Sequence, residues 1–322
     1  METRNDQPGL RRVIDSALLS RRRGLGLLMG VSRWLPPARA AGVEPPVRLR
    51  IAFSETIIGD VNMNDARAAM LVWVKRLTQE VDVAVEIDPK VFDTSDEIIS
   101  RVRAGQMDAV ALNIFEYKKV ADLVDSSQVL SEAGAASFEQ YMILVKKTGN
   151  LQQLGDLQNG RLILLKTPKT CLASAWLAGI LDDGHYPPAE QFFRSVTADS
   201  KVSRVVLPVF FGQTEACITS KRAFETLCEL NPQVAKDLKV IAVSPPLLAV
   251  FCLFSKTFRG DSREKMLHAF QMVRMAPAGR QLTTLFQFGD LEVRDFSAIS
   301  AALRILEKAE RARSRPAAGG RK

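Results

Sequence analysis

Histidine is nearly missing from this chain: only His185 and His268 occur in 322 residues. Neither has a serine or cysteine nearby in a triad-like setting, and no Gly-x-Ser-x-Gly elbow is present, so hydrolytic chemistry relayed through imidazole is disfavoured. The chain has four cysteines, Cys171, Cys217, Cys228 and Cys252, at separations of 46, 11 and 24 with no Cys-x-x-Cys. That spacing matches no zinc ribbon or finger, and two histidines cannot make up a ligand set. Each cysteine lies in an apolar context, and buried free thiols are expected. Cys171 falls at a predicted helix start, where a thiol pKa can drop, but no base accompanies it and a packed thiol is favoured. No apolar run approaches the ~20 residues needed to cross a bilayer. The glycines of Gly24-x-Gly26 and Gly30 follow no strand, so they form no dinucleotide fingerprint. These absences point to a non-enzymatic protein with no cofactor and no metal.

The net charge of +8 is concentrated at the two ends. Residues 1–40 hold eight arginines against three acids, residues 311–322 hold five basic residues and no acid, and the remaining body carries 31 basic against 33 acidic residues. Nucleic-acid binding needs basic charge on the folded surface, and the body does not supply it. The basic cluster Arg21–Arg23, the short apolar run Gly24–Val31 and the small residues Ala38 and Ala40 have the layout of an export signal over 1–40, with a twin-arginine variant suggested by Ser20-Arg21-Arg22. The alternative is a basic amphipathic arm, since Arg33 interrupts the region. No lipid-attachment cysteine follows. The expected location is the periplasm, with the body soluble after signal removal.

With 47% hydrophobic residues and mean hydropathy near zero, the body reads as globular, with length for about two domains or lobes. Arg48–Phe53 reads as a first strand. A helix follows from a cap at Asn64 or Asp65, with Ala66, Ala69, Met70, Trp73, Val74, Leu77 and Val81 at three-four spacing. Val83–Ile87 suits a second strand. Thr94 to Glu97 forms a capping box for a helix that ends at Gly105, and Asp108–Ile114 reads as a buried strand. After a variable stretch come strand Glu139–Lys146, strand Arg161–Leu165, turn Lys166–Thr170 and helix Cys171–Leu181. The later elements are strand Phe192–Val196, an apolar stretch Val202–Phe211, strands Glu215–Thr219, Lys239–Val243 and Leu248–Ser255, and helices Ser262–Met275 and about Ser297–Arg311. Residues 312–322 read as a basic flexible tail. The alternation of strand and helix is a doubly wound α/β pattern.

Three segments carry a resemblance: Leu49–Glu55 leading into Asp60–Arg67; Glu97–Val110, with its Gly-x-x-Asp-Ala step; and Asn150–Arg161, with Gly-Asp-Leu before Gly160. Together these segments resemble the PhnD-like periplasmic binding proteins of ABC importers for phosphonate, phosphite and phosphate-type anions. The third departs from the family pattern by one extra residue before Gly160. The resemblance implies a two-lobed type 2 periplasmic-binding-protein fold, each lobe a mostly parallel sheet flanked by helices. Lobe 1 would be 48–138 with 250–311, lobe 2 would be 139–249, and two hinge strands, Glu139–Val145 outward and Leu248–Phe254 back, would join them. It also implies a small anionic or zwitterionic ligand held between the lobes by a monomer and delivered to an importer permease. The alternatives are a sensing module for a membrane signalling partner and, further off, an enzyme on the same scaffold.

Residues just past strand ends are the ligand-contact candidates, because strand tips and helix amino ends converge on such a crevice. They are Ser54, Glu55, Thr56, Asn113, Glu116 and Tyr117 in lobe 1, and Thr167, Lys169, Thr170 and Thr214 in lobe 2, with Gln213 and Glu215 weaker. Cys171 and Leu172 stand where the family carries small polar residues, and Glu55 and Glu116 bring acids toward the site. A zwitterion, with its amine on those acids and its acid group on the Thr/Lys turn, would reconcile the two.

Overall fold

The computed structural model describes residues 46–58, 64, 65, 68, 85–275 and 291–314. The export signal expected at 1–40 and most of the expected first helix, including every apolar position named for it, lie outside the described residues. Asn64 and Asp65 are themselves helical, so neither is the residue that caps that helix.

The first sheet has six strands: β1 (Val47–Ser54), β2 (Val85–Phe92), β3 (Ala109–Asn113), β4 (Gln128–Glu132), β10 (Val250–Phe254) and β11 (Leu291–Asp295). Their order is β11-β4-β10-β3-β1-β2. β1 pairs in parallel with β2 and β3, while β10 returns antiparallel between β3 and β4. Pro89 is tolerated in β2 because β2 is an edge strand, where a missing N–H costs no ladder bond. The second sheet is formed by β5 (Tyr141–Lys146), β6 (Arg161–Leu165), β7 (Ser195–Asp199), β8 (Ala216–Ser220) and β9 (Leu238–Val243), in the order β7-β6-β8-β5-β9. β6, β7 and β8 run parallel, and β5 lies antiparallel between β8 and β9.

The helices are α1 (Ser95–Arg103), α2 (Ile114–Val120), α3 (Ala173–Asp183), α4 (Ala189–Phe192), α5 (Val202–Phe210), α6 (Lys221–Leu230), α7 (Pro232–Asp237), α8 (Asp261–Met275) and α9 (Ser300–Ser314). α1 begins with Thr94 accepting from the Glu97 amide at 3.3 Å. Glu97 is turned instead toward Arg101 at 3.5 Å, one helical turn on. α9 runs to Ser314, so Arg313, expected in a tail, is helical. The variable stretch expected after residue 114 holds α2 and β4. Phe192 closes the short α4, and the next strand starts three residues later, at Ser195.

Two segments connect the sheets, 133–140 outward and 244–249 back, whereas most of the expected hinge strands Glu139–Val145 and Leu248–Phe254 lies inside the sheets as β5 and β10, because their apolar residues pair with neighbouring strands. They touch through an antiparallel bridge: Glu139 N–H donates to Leu247 O at 3.0 Å, and Leu247 N–H to Glu139 O at 2.9 Å. One apolar cluster spans both sheets, joining Ala52, Val110 and Leu112 to Ile143, Leu162 and Ile218, with Leu306 of α9 in the same group.

Candidate functional site

The first wall forms where β1 and β3 end. Ser54, the last residue of β1, is buried, and a 3-10 turn at Glu55–Ile57 follows it. Asn113 ends β3 and caps α2: its side chain accepts from the amides of Phe115 at 2.9 Å and Glu116 at 3.1 Å. Glu116 reaches back to the Asn113 amide at 3.1 Å, completing a capping box,. The same carboxylate accepts from Ser54 Oγ at 2.5 Å and Thr56 Oγ1 at 2.9 Å, and Asn113 Nδ2 donates to Thr56 Oγ1 at 2.9 Å. Four of the sequence candidates thus form one hydrogen-bonded cluster, buried at Ser54, Asn113 and Glu116 and exposed at Thr56. Its acid already has three donors.

The second wall forms where β6 ends. Thr167 and Thr170 cap each other across the turn Pro168–Thr170, with Thr170 Oγ1 also donating to Leu165 O at 2.7 Å. Lys169 Nζ reaches out of this turn to Glu132 at the end of β4, an ion pair between the two sheets. The turns Glu55–Ile57 and Pro168–Thr170 approach each other, so the two walls face one another. Leu172 stands at the N-cap of α3 and no side chain caps that helix.

Tyr141, at the start of β5, is fully buried against the Lys169 turn. Its phenol donates to Lys169 O at 2.9 Å and its ring packs on Trp176. Burial pushes the Tyr141 phenol well above its ordinary range, and nearby Cys171 and Glu139 add to the effect. Burial also pushes the Cys171 thiol up to about 12, with Glu116 contributing. At this helix start desolvation outweighs the dipole, so Cys171 is a packed thiol. Cys217, Cys228 and Cys252 are likewise free thiols raised by burial.

Three candidates lie apart from this assembly. Tyr117 is buried against Phe251 and Phe296, with its hydroxyl at 3.3 Å from Ser126, so it serves the core. Glu55 is exposed. Thr214 precedes β8, and the parallel register of β6 with β8 puts it near Arg161, at the opposite end of the sheet from the Thr167 turn. Its neighbour Glu215 is held at about 2 by Arg161, which binds it through two nitrogens, against the opposing effect of burial. The sequence reading did not single out Glu132 and Tyr141, which contact the Lys169 turn. Their one available signal is charge or hydroxyl at the margins of apolar strands, which is common at any strand end.

Among the described residues no group of acids, histidines and cysteines is placed to hold a metal ion, and no helix is long and apolar enough to cross a membrane. A binding protein component of an ABC phosphonate transporter from Pseudomonas aeruginosa superposes with a TM-score of 0.54 at 14% identity, covering 84% of this chain and 88% of that one. PhnD1 from Prochlorococcus marinus, solved with methylphosphonate, gives 0.56 at 13% identity, covering 82% and 99%. A Xanthomonas citri protein bound to ATP gives 0.57 at 12% identity, covering 83% and 98%. At these identities the likeness establishes the shared two-lobed fold. No curated protein sequence matches the chain. The family model described as "ABC transporter, phosphonate, periplasmic substrate-binding protein" matches residues 56–297. With three quarters of its length inside that match, the chain belongs to the periplasmic substrate-binding proteins of phosphonate ABC transporters, a family of binding proteins rather than enzymes.

Proposed function

We propose that this protein captures a small phosphonate-class ligand, anionic or zwitterionic, in the crevice between its lobes and presents it as a monomer to the permease of an importer. The observation that carries this reading is the start of α3. There, a helix start that no side chain caps follows closely in sequence on Lys169, whose ammonium pairs with Glu132, and helix amino ends and ammonium groups both attract an anion. Ser54, Thr56 and Asn113 stand on the facing wall, and closure of the lobes around the ligand gives a permease a distinct shape to recognise. In this reading lobe 1 is 48–138 with 250–311 and lobe 2 is 139–249, with α9 resting on α3. The ligand-contact set is Ser54, Thr56, Asn113, Thr167, Lys169 and Thr170, with Glu116 as their internal organiser.

The test is titration calorimetry of the purified protein with methylphosphonate and with inorganic phosphate. One-to-one binding is expected for at least methylphosphonate, with Lys169→Ala weakening it about tenfold through loss of a charge-assisted contact. Absence of heat, together with an unchanged melting temperature at millimolar ligand, removes the reading.

A further inference from the structure

The outward segment 133–140 is gripped from both sheets, and one residue lies between the grips. On the side of the first sheet, Arg294 of β11 donates to Ser131 Oγ at 2.9 Å, Gly134 O at 2.8 Å and Ser137 Oγ at 3.3 Å, and its guanidinium stands 5.0 Å from the centre of the Phe138 ring. Glu292 accepts from the Gly134 amide at 3.0 Å. Residues 131–138 are therefore carried with β11 and β4. On the side of the second sheet, Gln140 O accepts from Lys221 N–H at 2.8 Å. Tyr141 N–H donates to Ser244 Oγ and Ser244 N–H to Tyr141 O, both at 2.8 Å. A change of angle between the sheets must then bend the outward segment at Glu139, whose backbone bridges to Leu247 of the return segment.

Glu139 also carries a carboxylate that the fold leaves underpaired. It is 5% exposed, and its Oε2 has no hydrogen-bond partner among the described residues. Its Oε1 faces Arg222 Nε at 3.8 Å, too long for a hydrogen bond. The Arg222 guanidinium is drawn toward the first sheet, where Nη2 donates to Ala135 O at 3.4 Å. One cation is thus divided between two acceptors, and a buried acid without full pairing is destabilising. Arg222 stands in the first turn of α6, just past the end of β8. The parallel register of β8 with β6 puts that end of the sheet beside the turn that carries Lys169. Ala135 lies three residues beyond Glu132, on the stretch that Arg294 holds. A movement that separates Lys169 from Glu132 therefore also draws Arg222 off Ala135 and frees it for Glu139.

We infer that Arg222 and Glu139 form a spring at the hinge, held apart while the two walls face one another and closing into a hydrogen-bonded ion pair when the lobes part. The spring biases the ligand-free crevice open, against the Lys169–Glu132 pair, which is made with the walls together. Ligand binding must overcome this bias, so the measured affinity is lower than that of the closed crevice itself. Both residues act through lobe position and touch no ligand. The inference rests on the function proposed above in one respect, that the lobes move.

The experiment combines calorimetric titration of methylphosphonate with small-angle X-ray scattering of the ligand-free full chain, for wild type, Glu139→Gln, Arg222→Gln and the double variant. Each single variant is expected to bind methylphosphonate about tenfold more tightly, the scale of one hydrogen bond between charged groups. Each is also expected to have a smaller ligand-free radius of gyration than wild type. The double variant is expected to match the single ones, because both remove the same pair. A gain in affinity separates this role from a structural one, since a damaged hinge weakens binding. Unchanged or weakened binding in either folded variant overturns the inference, as do additive gains in the double variant or equal ligand-free radii for wild type and variants. Should one variant fail to fold, the other decides alone. Absence of binding by wild type overturns the function proposed above, and the radii then decide the inference by themselves.

Discussion

Three donors converge on the Glu116 carboxylate, from Ser54, Thr56 and the Asn113 backbone, so the first wall presents hydroxyls that already have an acceptor. A phosphonate oxygen reaching for Ser54 or Thr56 must share or displace an internal anion, and like charges at that distance repel. This is why the uncapped amides and Lys169 of the second wall carry most of the attraction in the proposed site. Away from the crevice, a single pair makes a testable contribution to stability. Arg263 binds the Asp125 carboxylate and holds its pKa at about 2, with the Ser127 amide also lowering it and partial burial opposing. A carboxylate depressed in the folded state contributes stability that is present above its unfolded pKa and lost as pH falls through the folded one. Asp125→Asn is therefore expected to cost about 1 kcal/mol at pH 7, a value discounted for the 27% exposure of the side chain,. In urea unfolding the variant and wild type should converge between pH 4 and about 2. A difference that stays constant down to pH 2 would show that the pair acts by packing and not by charge.

At the scale of elements, the end of α1 shows what the sequence makes readable. Gly105 has φ +65°, its N–H donates to Val102 O at 3.0 Å, and Gln106 N–H donates to Arg101 O at 2.9 Å, the two bonds of a Schellman close. Nothing lies within 4 Å of a Cβ built there. Gly105→Ala is then expected to destabilise by about 1 kcal/mol through backbone strain alone, read as a melting-temperature drop of roughly 2–4 °C. No change in melting temperature would mean the turn has relaxed to negative φ. The strands whose apolar runs are bounded by Gly, Asp or Lys, such as β3, β6 and β9, were legible to within a residue or two. The extra residue before Gly160 is absorbed by Asn159 at φ +60°, a conformation asparagine tolerates. α2 was not legible, because Ile114-Phe-Glu-Tyr continues the apolar run of β3 and its helical start depends on Glu116 turning back to Asn113. α6 was hidden as well, since its Lys and Glu residues give the look of a loop. The pairing of Glu116 with Ser54 and Thr56, some sixty positions apart, is a product of strand order, and no local pattern encodes it.

Both lobes contribute to one apolar cluster, and α9 binds the two sides together. Lys118 of α2 pairs with Glu310 at 2.6 Å, Lys308 pairs with Asp183 of α3, and Gly179 leaves the space in which the Lys308 stem lies, since a Cβ there would meet its Cδ at 3.2 Å. Surface pairs of this kind are worth little in themselves. The coupling comes from Ala302, Leu306 and Ala309, buried on the inner face of the helix. In the proposed reading, opening of the crevice pivots on the side that α9 holds and breaks the Lys169–Glu132 pair between the sheets. A shared core also implies that neither lobe is an independent folding unit. Thermal unfolding followed by Trp fluorescence, which includes Trp176 of lobe 2, and by far-ultraviolet circular dichroism of the whole chain should give one coincident transition. Leu306→Ala should lower that single transition by roughly 6–12 °C, for a loss of about 3 kcal/mol from the cavity left in the cluster. Two separated transitions, or a shift seen by only one probe, would mean that α9 stabilises one lobe alone and that the pivot lies in the connecting segments.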